Sequence, residues 1–449
     1  MNPTPTRIRV LFFLLAATLL AGQDISTPGG PAPENVLDQA KTKLQAIARR
    51  LEQYVCLETI NRSYIRRITP LPASKAAAAP AGPPNCRGAA PAPAKDAQLE
   101  FSDRVRLEVT VAEGRELHSW PGATRFDTRN VDDLIRDGPV STGSFGAYLT
   151  SIFDRPGVTF QYTGQKTAPR GPVYEYHYRV PLASSRYEVK AGGVWVPVAY
   201  DGDFWIDPQS LELERLTVRA PDPPPGAAFC SAATTLDYQT VRMGDGNVLM
   251  PQQAQLEIVR LGGQESRNVI AFSSCREYHA ESELVFDVPA EEGAAGPRAR
   301  GRVALPIGLP VTLALDNAID TDTAAAGDPI SAKVVKPVRK AGSNEELIPA
   351  GAIARGRIRR IEHHLLPEPY FLIAFSFNRV EVQGAISPFV ARSEPDPDLV
   401  KSLNANLQLR DTGIWFWGVG TFLFPTSKPH YVIPAGFESK WFTLATGGR

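Results

Sequence analysis

Apolar and polar positions alternate along most of this chain, and one stretch keeps the three- and four-residue spacing of a helix. That stretch is residues 34–55, where Leu37, Ala40, Leu44, Ile47, Leu51 and Tyr54 share a face while Lys41, Lys43, Arg49, Arg50 and Glu52 lie mostly off it. Such a stripe predicts a helix laid against a sheet. Strand patterns follow: "YVCLETINRSYIRRI", then "LEFSDRVRLEVTVAEG" with Val105, Leu107, Val109 and Val111 in alternation, then a succession of runs from "VTFQYTGQ" to "RNVIAFSSCREYHAESELVF". Gly192-Gly193 and Gly244-Asp245-Gly246-Asn247 supply hairpin turns, where positive φ costs glycine nothing. Residues 130–153 read as helical in parts, with a Gly-rich break.

Within this series "YDGDFWIDPQSLELERL", residues 200–216, reads as a strand, a tight turn begun by Asp207-Pro208, and a second strand. Phe204 and Ile206 fall on one face and Trp205 on the other, since strand residues alternate. Leu211 and Leu213 share a face, but Leu216 and Val218 are out of phase with them, so the strand must twist, bulge or be covered on both sides. Phe204, Trp205, Ile206, Leu211 and Leu213 are therefore the candidate lining of an apolar ligand groove.

Punctuation divides the chain. Residues 69–97 are an Ala/Pro low-complexity stretch, expected to be a disordered loop. Residues 288–302, rich in Gly, Ala and charge, read as a linker between a first block, 34–287, and a second all-β block, 303–445. In the second block Pro306, Pro349 and Pro434 each precede a turn glycine and a strand. "GIWFWGVGTFLF", residues 413–424, fits a buried hairpin or a membrane-dipping loop; its twelve residues are short for a span.

The N-terminus bears on compartment. Arg7 and Arg9 precede the apolar run at 10–21, and small residues follow before Gln23, the order of a signal peptide over residues 1–22. A membrane anchor is the alternative, but a span needs about 20 apolar residues. Gln23 stands where a lipoprotein would have its lipidated cysteine. The expected location is exported, periplasmic or associated with the outer membrane, with no transmembrane helix in the mature chain. Cys56, Cys86, Cys230 and Cys275 then suggest two disulfides. Three pairings are possible, and sequence order favours Cys56–Cys86 with Cys230–Cys275.

Charge and motifs narrow the function. With 48 basic and 48 acidic residues the net charge is zero, which argues against nucleic acid as a partner. Asp201, Asp203 and Asp207 lack the calcium-loop pattern. "TGSFG" around Ser144 is not a nucleophile elbow. His363-His364 lack a nearby third ligand and read as exposed loop residues. Arg355, Arg357 and Arg359 alternate on one strand face; they could grip phosphate or a partner, or be a solvated face. No catalytic residue, metal ligand or cofactor site is assigned.

The helix at 34–55, the strands after it and "DGDFWIDPQSLELERLTV" resemble the outer-membrane lipoprotein carrier (LolA-like) superfamily, over roughly residues 34–287. "YVCLETINRS", "GRELHSWPG" and "GSFGAYL" also resemble a group of exported proteins of acidobacterial type. "VTLALDNAIDTDTAAAGDPISAKVVKPV" with "LIPAGAIARGRIRRIE" is similar to the TrbI-like barrel of conjugation and secretion channels. The fold class expected is mainly β: a curved antiparallel half-barrel with an N-terminal helix, then a small all-β barrel. The resemblance implies a non-enzymatic binding protein of the cell envelope for lipid, a lipidated protein or another apolar ligand. The alternative is a structural or interaction module of an envelope or secretion assembly, with envelope proteins as partners.

Overall fold

The computed structural model describes residues 31–67, 86, 97–123, 126, 131, 134–135, 138–140, 142–243, 246–261, 264–277, 305–340, 342–382, 385–394 and 418–445. The signal segment, nearly all of the Ala/Pro loop, the linker and residues 413–417 lie outside the described residues.

The first block contains α1 (Pro33–Leu51), β1 (Tyr54–Arg67), β2 (Ala97–Ala112), β3 (Arg115–Ser119), α2 (Ala147–Phe153), β4 (Thr159–Ala168), β5 (Gly171–Val180), β6 (Glu188–Ala191), β7 (Val194–Pro197), β8 (Tyr200–Ile206), β9 (Leu213–Ala220), β10 (Phe229–Met243), β11 (Gly246–Arg260) and β12 (Glu265–Glu277). Its main sheet is antiparallel throughout, in the order β3–β2–β1–β12–β11–β10–β9–β8–β5–β4. α1 ends at Leu51, short of the expected 55, because Tyr54 already begins β1. Val36, Ala40, Leu44, Ala48 and Leu51 are its buried face, so the stripe is turned slightly from the expected one; Leu37 and Ile47 pack at its margin. Of residues 130–153, α2 is the helical part, and Gln45 Nε2 of α1 donates to Phe153 O at its end (2.7 Å).

β8 alternates strictly, with Phe204 and Ile206 buried. The out-of-phase leucines are accommodated by an irregularity between Trp205 and Ile206, which sets Phe204 opposite Leu216 and Ile206 opposite Leu213. Asp207 Oδ1 accepts the amides of Gln209 (2.8 Å) and Ser210 (3.3 Å), closing the turn.

Four cysteines do form two disulfides, but not in the order expected. The bonds are Cys56–Cys275 and Cys86–Cys230. Spatial neighbourhood decides: β1 pairs with β12, so Cys56 meets Cys275 at the end of that ladder, and Cys230 opens β10.

The second block contains β13 (Pro310–Leu315), β14 (Ile319–Asp320), β15 (Pro329–Val334), β16 (Val338–Arg339), β17 (Glu346–Ile348), β18 (Ile353–His364), β19 (Tyr370–Val382), β20 (Ala385–Pro388), β21 (Ala391–Ser393), β22 (Gly420–Pro425), β23 (Val432–Ile433) and β24 (Glu438–Thr443). Its ladders run β22–β19–β18–β15–β13–β24–β21, with β20 also on β19. Among the described residues no ladder closes this series, so the expected small barrel is an open sheet. Its short edge strands β20 and β21, four and three residues, leave little to pair. Phe422 and Leu423 of the apolar run at 413–424 are buried in β22.

The two blocks keep largely separate cores, with Ala326 of the second packed into that of the first, and share one sheet. β18 pairs with β2, setting Glu362 opposite Asp103, His363 opposite Ser102 and His364 opposite Phe101. Tyr64, Phe101, His364 and Tyr370 stack in succession across this seam, with centroids 3.9, 5.0 and 4.5 Å apart. His363 and His364 are therefore partly buried strand residues, not exposed loop residues.

Candidate functional site

The hairpin residues suggested for a groove sit mostly in the core of the first block. Phe204, Ile206 and Leu213 are fully buried. Phe204 is ringed by Phe153, Phe160, Tyr176 and Tyr178 at 5.1–6.2 Å. Leu211 packs at the margin, and Trp205 faces outward, where it donates to Glu175 Oε1 (3.0 Å) beneath Arg215. α1, α2 and these rings occupy the inner face of the sheet, and none of the five residues lines either of two cavities described below.

The larger cavity, about 1390 Å³, lies between the blocks. β2 and the segment after β3 contribute Arg106, Trp120 and Pro121; the second block contributes Asp328, Ile330, Arg355, Arg357, Arg359 and Arg379. Sequence reasoning singled out the three arginines of β18 but not their setting. Arg357 and Arg359 both lie over the Trp120 ring, 5.6 and 5.1 Å from its centroid. Arg357 Nη1 donates to the carbonyls of Pro121 (3.1 Å) and Gly327. Burial, then the neighbouring charge of Arg359, push the Arg357 guanidinium down to about 10. Arg106 is bound by Asp328 through two contacts of 2.6 Å. Five arginines thus face two aspartates, Asp320 and Asp328, across one cleft in a chain of zero net charge.

The smaller cavity, about 340 Å³, lies along the shared seam and includes Tyr64, Asp103, Arg260, Arg360, Glu362 and His364. Arg62 clasps Asp103 with two bonds (2.7 and 2.6 Å). Glu362 accepts from Arg360 Nε (2.7 Å) and lies 2.8 Å from His364 Nε2. Burial pushes this carboxyl up, but Arg360 and His364 outweigh it and hold it near 2.

A third polar group lies in the first block, with Glu58 and His118 buried and Glu116 partly so. Glu116 accepts the amides of Gly143, Phe145 (2.7 Å) and Gly146 (3.0 Å) ahead of α2, and His118 Nε2 lies 3.2 Å from Glu58 Oε2. Burial raises the Glu116 carboxyl; burial also lowers His118, but Glu58 more than reverses that. None of the three lines either cavity. Asp201 and Asp203 pair with Arg219 (3.0 and 2.7 Å), a hairpin rim. Asp320, Asp322 and His430 bring ligand atoms within 4.8 Å of one another, three donors at the surface where a closed zinc site uses four. Among the described residues no helix is long and apolar enough to cross a membrane.

No family model and no curated protein matches this chain. Among solved structures it is similar to a LolA-superfamily protein from Nitrosomonas europaea, at 10% identity and TM-score 0.26, over 53% of this chain and 94% of that one. A domain of an outer-membrane lipoprotein-sorting protein from Vibrio parahaemolyticus is similar at 9% identity and TM-score 0.26, over 55% and 93%. A DUF1329 family protein from Desulfovibrio piger is similar at 10% identity and TM-score 0.26, over 54% and 92%.

Proposed function

We propose that this chain is an exported, non-enzymatic binding protein of the cell envelope, and that its ligand lies in the cleft between the two blocks. The cleft itself carries the reading. It is walled by both blocks and large enough for a lipid or a lipidated segment, since pockets for small ligands typically measure about 300–1,000 Å³. An acyl chain beneath the sheet of the first block would have to displace α1, α2 or the rings around Phe204. In the cleft, Trp120, Pro121 and Ile330 offer it apolar contact without such displacement. The non-enzymatic reading is supported by the state of the acids: Asp328 is held by Arg106, Glu58 is buried with His118, and Glu116 is engaged by backbone amides.

Hydrogen exchange of the full chain with and without a total lipid extract tests this. Protection should appear on both walls, at residues 120–123 and 355–359. Protection confined to α1 and the inner sheet would place the ligand in the half-barrel instead. One observation favours the interaction-module alternative: Val194 and Trp195, on the β6–β7 hairpin, are 62% and 38% exposed. If that reading held, Val194→Asp would abolish capture of an envelope partner while leaving cleft protection intact.

A further inference from the structure

We propose that Arg357 and Arg379, flanked by Arg355 and Arg359, form a phosphate-binding subsite in the cleft, and that its ligand carries a phosphoryl group on an apolar body. The inference rests on the cleft reading above and adds the chemistry of what the cleft takes.

Arg355 and Arg379 are exposed while Arg357 and Arg359 are partly buried, so the cost of gathering these charges falls mainly on the inner pair. Arg355 and Arg379 are direct cross-strand partners on β18 and β19, and like charges opposite one another destabilise a sheet. Arg355 has a carboxylate near it, Glu381, but at 3.6 Å and on an exposed side chain. Arg357 is drawn inward and hydrogen-bonds two neutral carbonyls, which fix its direction without neutralising its charge. Burial first, and then the charges of Arg359 and Arg379, lower its affinity for its proton. Trp120 orients the planes of Arg357 and Arg359 from below. An anion in this space would relieve the repulsion.

Phosphate fits better than carboxylate on two counts. A phosphoryl group carries up to two charges and three acceptor oxygens, so several guanidinium groups can share it, whereas one arginine fork satisfies a carboxylate. The excess of arginines over aspartates lining the cleft is also larger than one. The apolar body is indicated by Trp120, Pro121, Pro329 and Ile330 in the same walls. A phospholipid headgroup and a soluble phosphate ester share this chemistry.

Calorimetric titration of the full, disulfide-bonded chain separates them, using dihexanoyl phosphatidic acid below its micelle concentration, glycerol 3-phosphate, and neutral dihexanoylglycerol. Phosphatidic acid should bind saturably, and more weakly as salt is raised. Arg357→Gln and Arg379→Gln should each weaken it about tenfold or more. Arg379→Gln should melt no lower than the parent protein, because it removes a like-charge pair; a purely structural arginine would show the reverse pattern. Glycerol 3-phosphate binding as tightly as the lipid identifies a soluble ester as the source, and much weaker binding identifies a headgroup; both uphold the subsite. Neutral dihexanoylglycerol binding equally well, with both variants unaffected, overturns the phosphate subsite while leaving the cleft as a binding site. Silence from all three probes, together with no exchange protection by lipid extract, overturns both.

Discussion

The alternation of Phe204, Trp205 and Ile206 could be read from sequence, and β8 keeps it. What covers the inner face could not. Phe153 and Phe160 lie 5.1 and 6.0 Å from Phe204, yet they belong to a short helix and an edge strand with no signal linking them to the hairpin. A buried aromatic and a ligand-lining aromatic look alike in a pattern; only the filled volume beside them differs. Phe204→Ala should therefore cost about 3–5 kcal/mol in urea denaturation, the range for emptying an aromatic site. Protein of this variant that remains folded should keep its cleft ligand, so loss of affinity at unchanged stability would contradict the placement of Phe204 in the core.

Among the elements, α1 was legible because its apolar spacing is strong, and only its end and the turn of its stripe were misjudged. α2 was legible only as some helical part of residues 130–153, not in its bounds, since its position depends on one side chain from elsewhere. In "GRELHSWPG" Glu116 is a polar residue in a strand, and nothing marks it as the acceptor for amides some 30 residues on. It satisfies N–H groups that would otherwise be buried unpaired. Glu116→Ala should cost about 3 kcal/mol for the stranded amides. Exchange at Phe145 and Gly146 should accelerate more than exchange in β10 or β11; uniform acceleration would mean that Glu116 supports the whole sheet rather than this one segment.

For the whole molecule, the sequence indicated two blocks and a joint but not how the blocks meet. The arginine alternation on β18 was visible, whereas the Trp120 wall facing it comes from a strand edge more than 230 residues earlier, a distance at which periodicity carries no information. The pairing of β2 with β18, and Arg104 Nη1 donating to Asp322 O (2.5 Å), tie the blocks directly. Proteolysis in 288–302 should accordingly yield two pieces that co-elute on size exclusion at neutral pH; separate elution would show that the seam is too weak to hold them. Acid should loosen it. Glu362 is depressed to about 2 by Arg360 and His364 against burial, so its contribution is complete above about pH 4.5 and is lost as pH falls towards 2. That contribution is on the order of 3 kcal/mol; Asp103, facing Glu362 across the seam, is raised by burial and opposes it in sign. Glu362→Gln should flatten the stability–pH curve in that window; an unchanged slope would assign the acid response to another carboxyl.

The two disulfides are nested: Cys86–Cys230 lies within the span closed by Cys56–Cys275, which are 219 residues apart. For a chain delivered N-terminus first into an oxidising compartment, that nesting has a temporal meaning. Cys56 and Cys86 emerge together, long before either native partner, and the short loop between them closes most readily. The bond that forms first is then the wrong one, and the native pair at the ends of β1 and β12 must wait for nearly the whole first block. Maturation of such a protein depends on a thiol isomerase or on a proofreading exchange, and its yield in a host that only oxidises would be limited by mispaired Cys56–Cys86 species rather than by the stability of the finished fold.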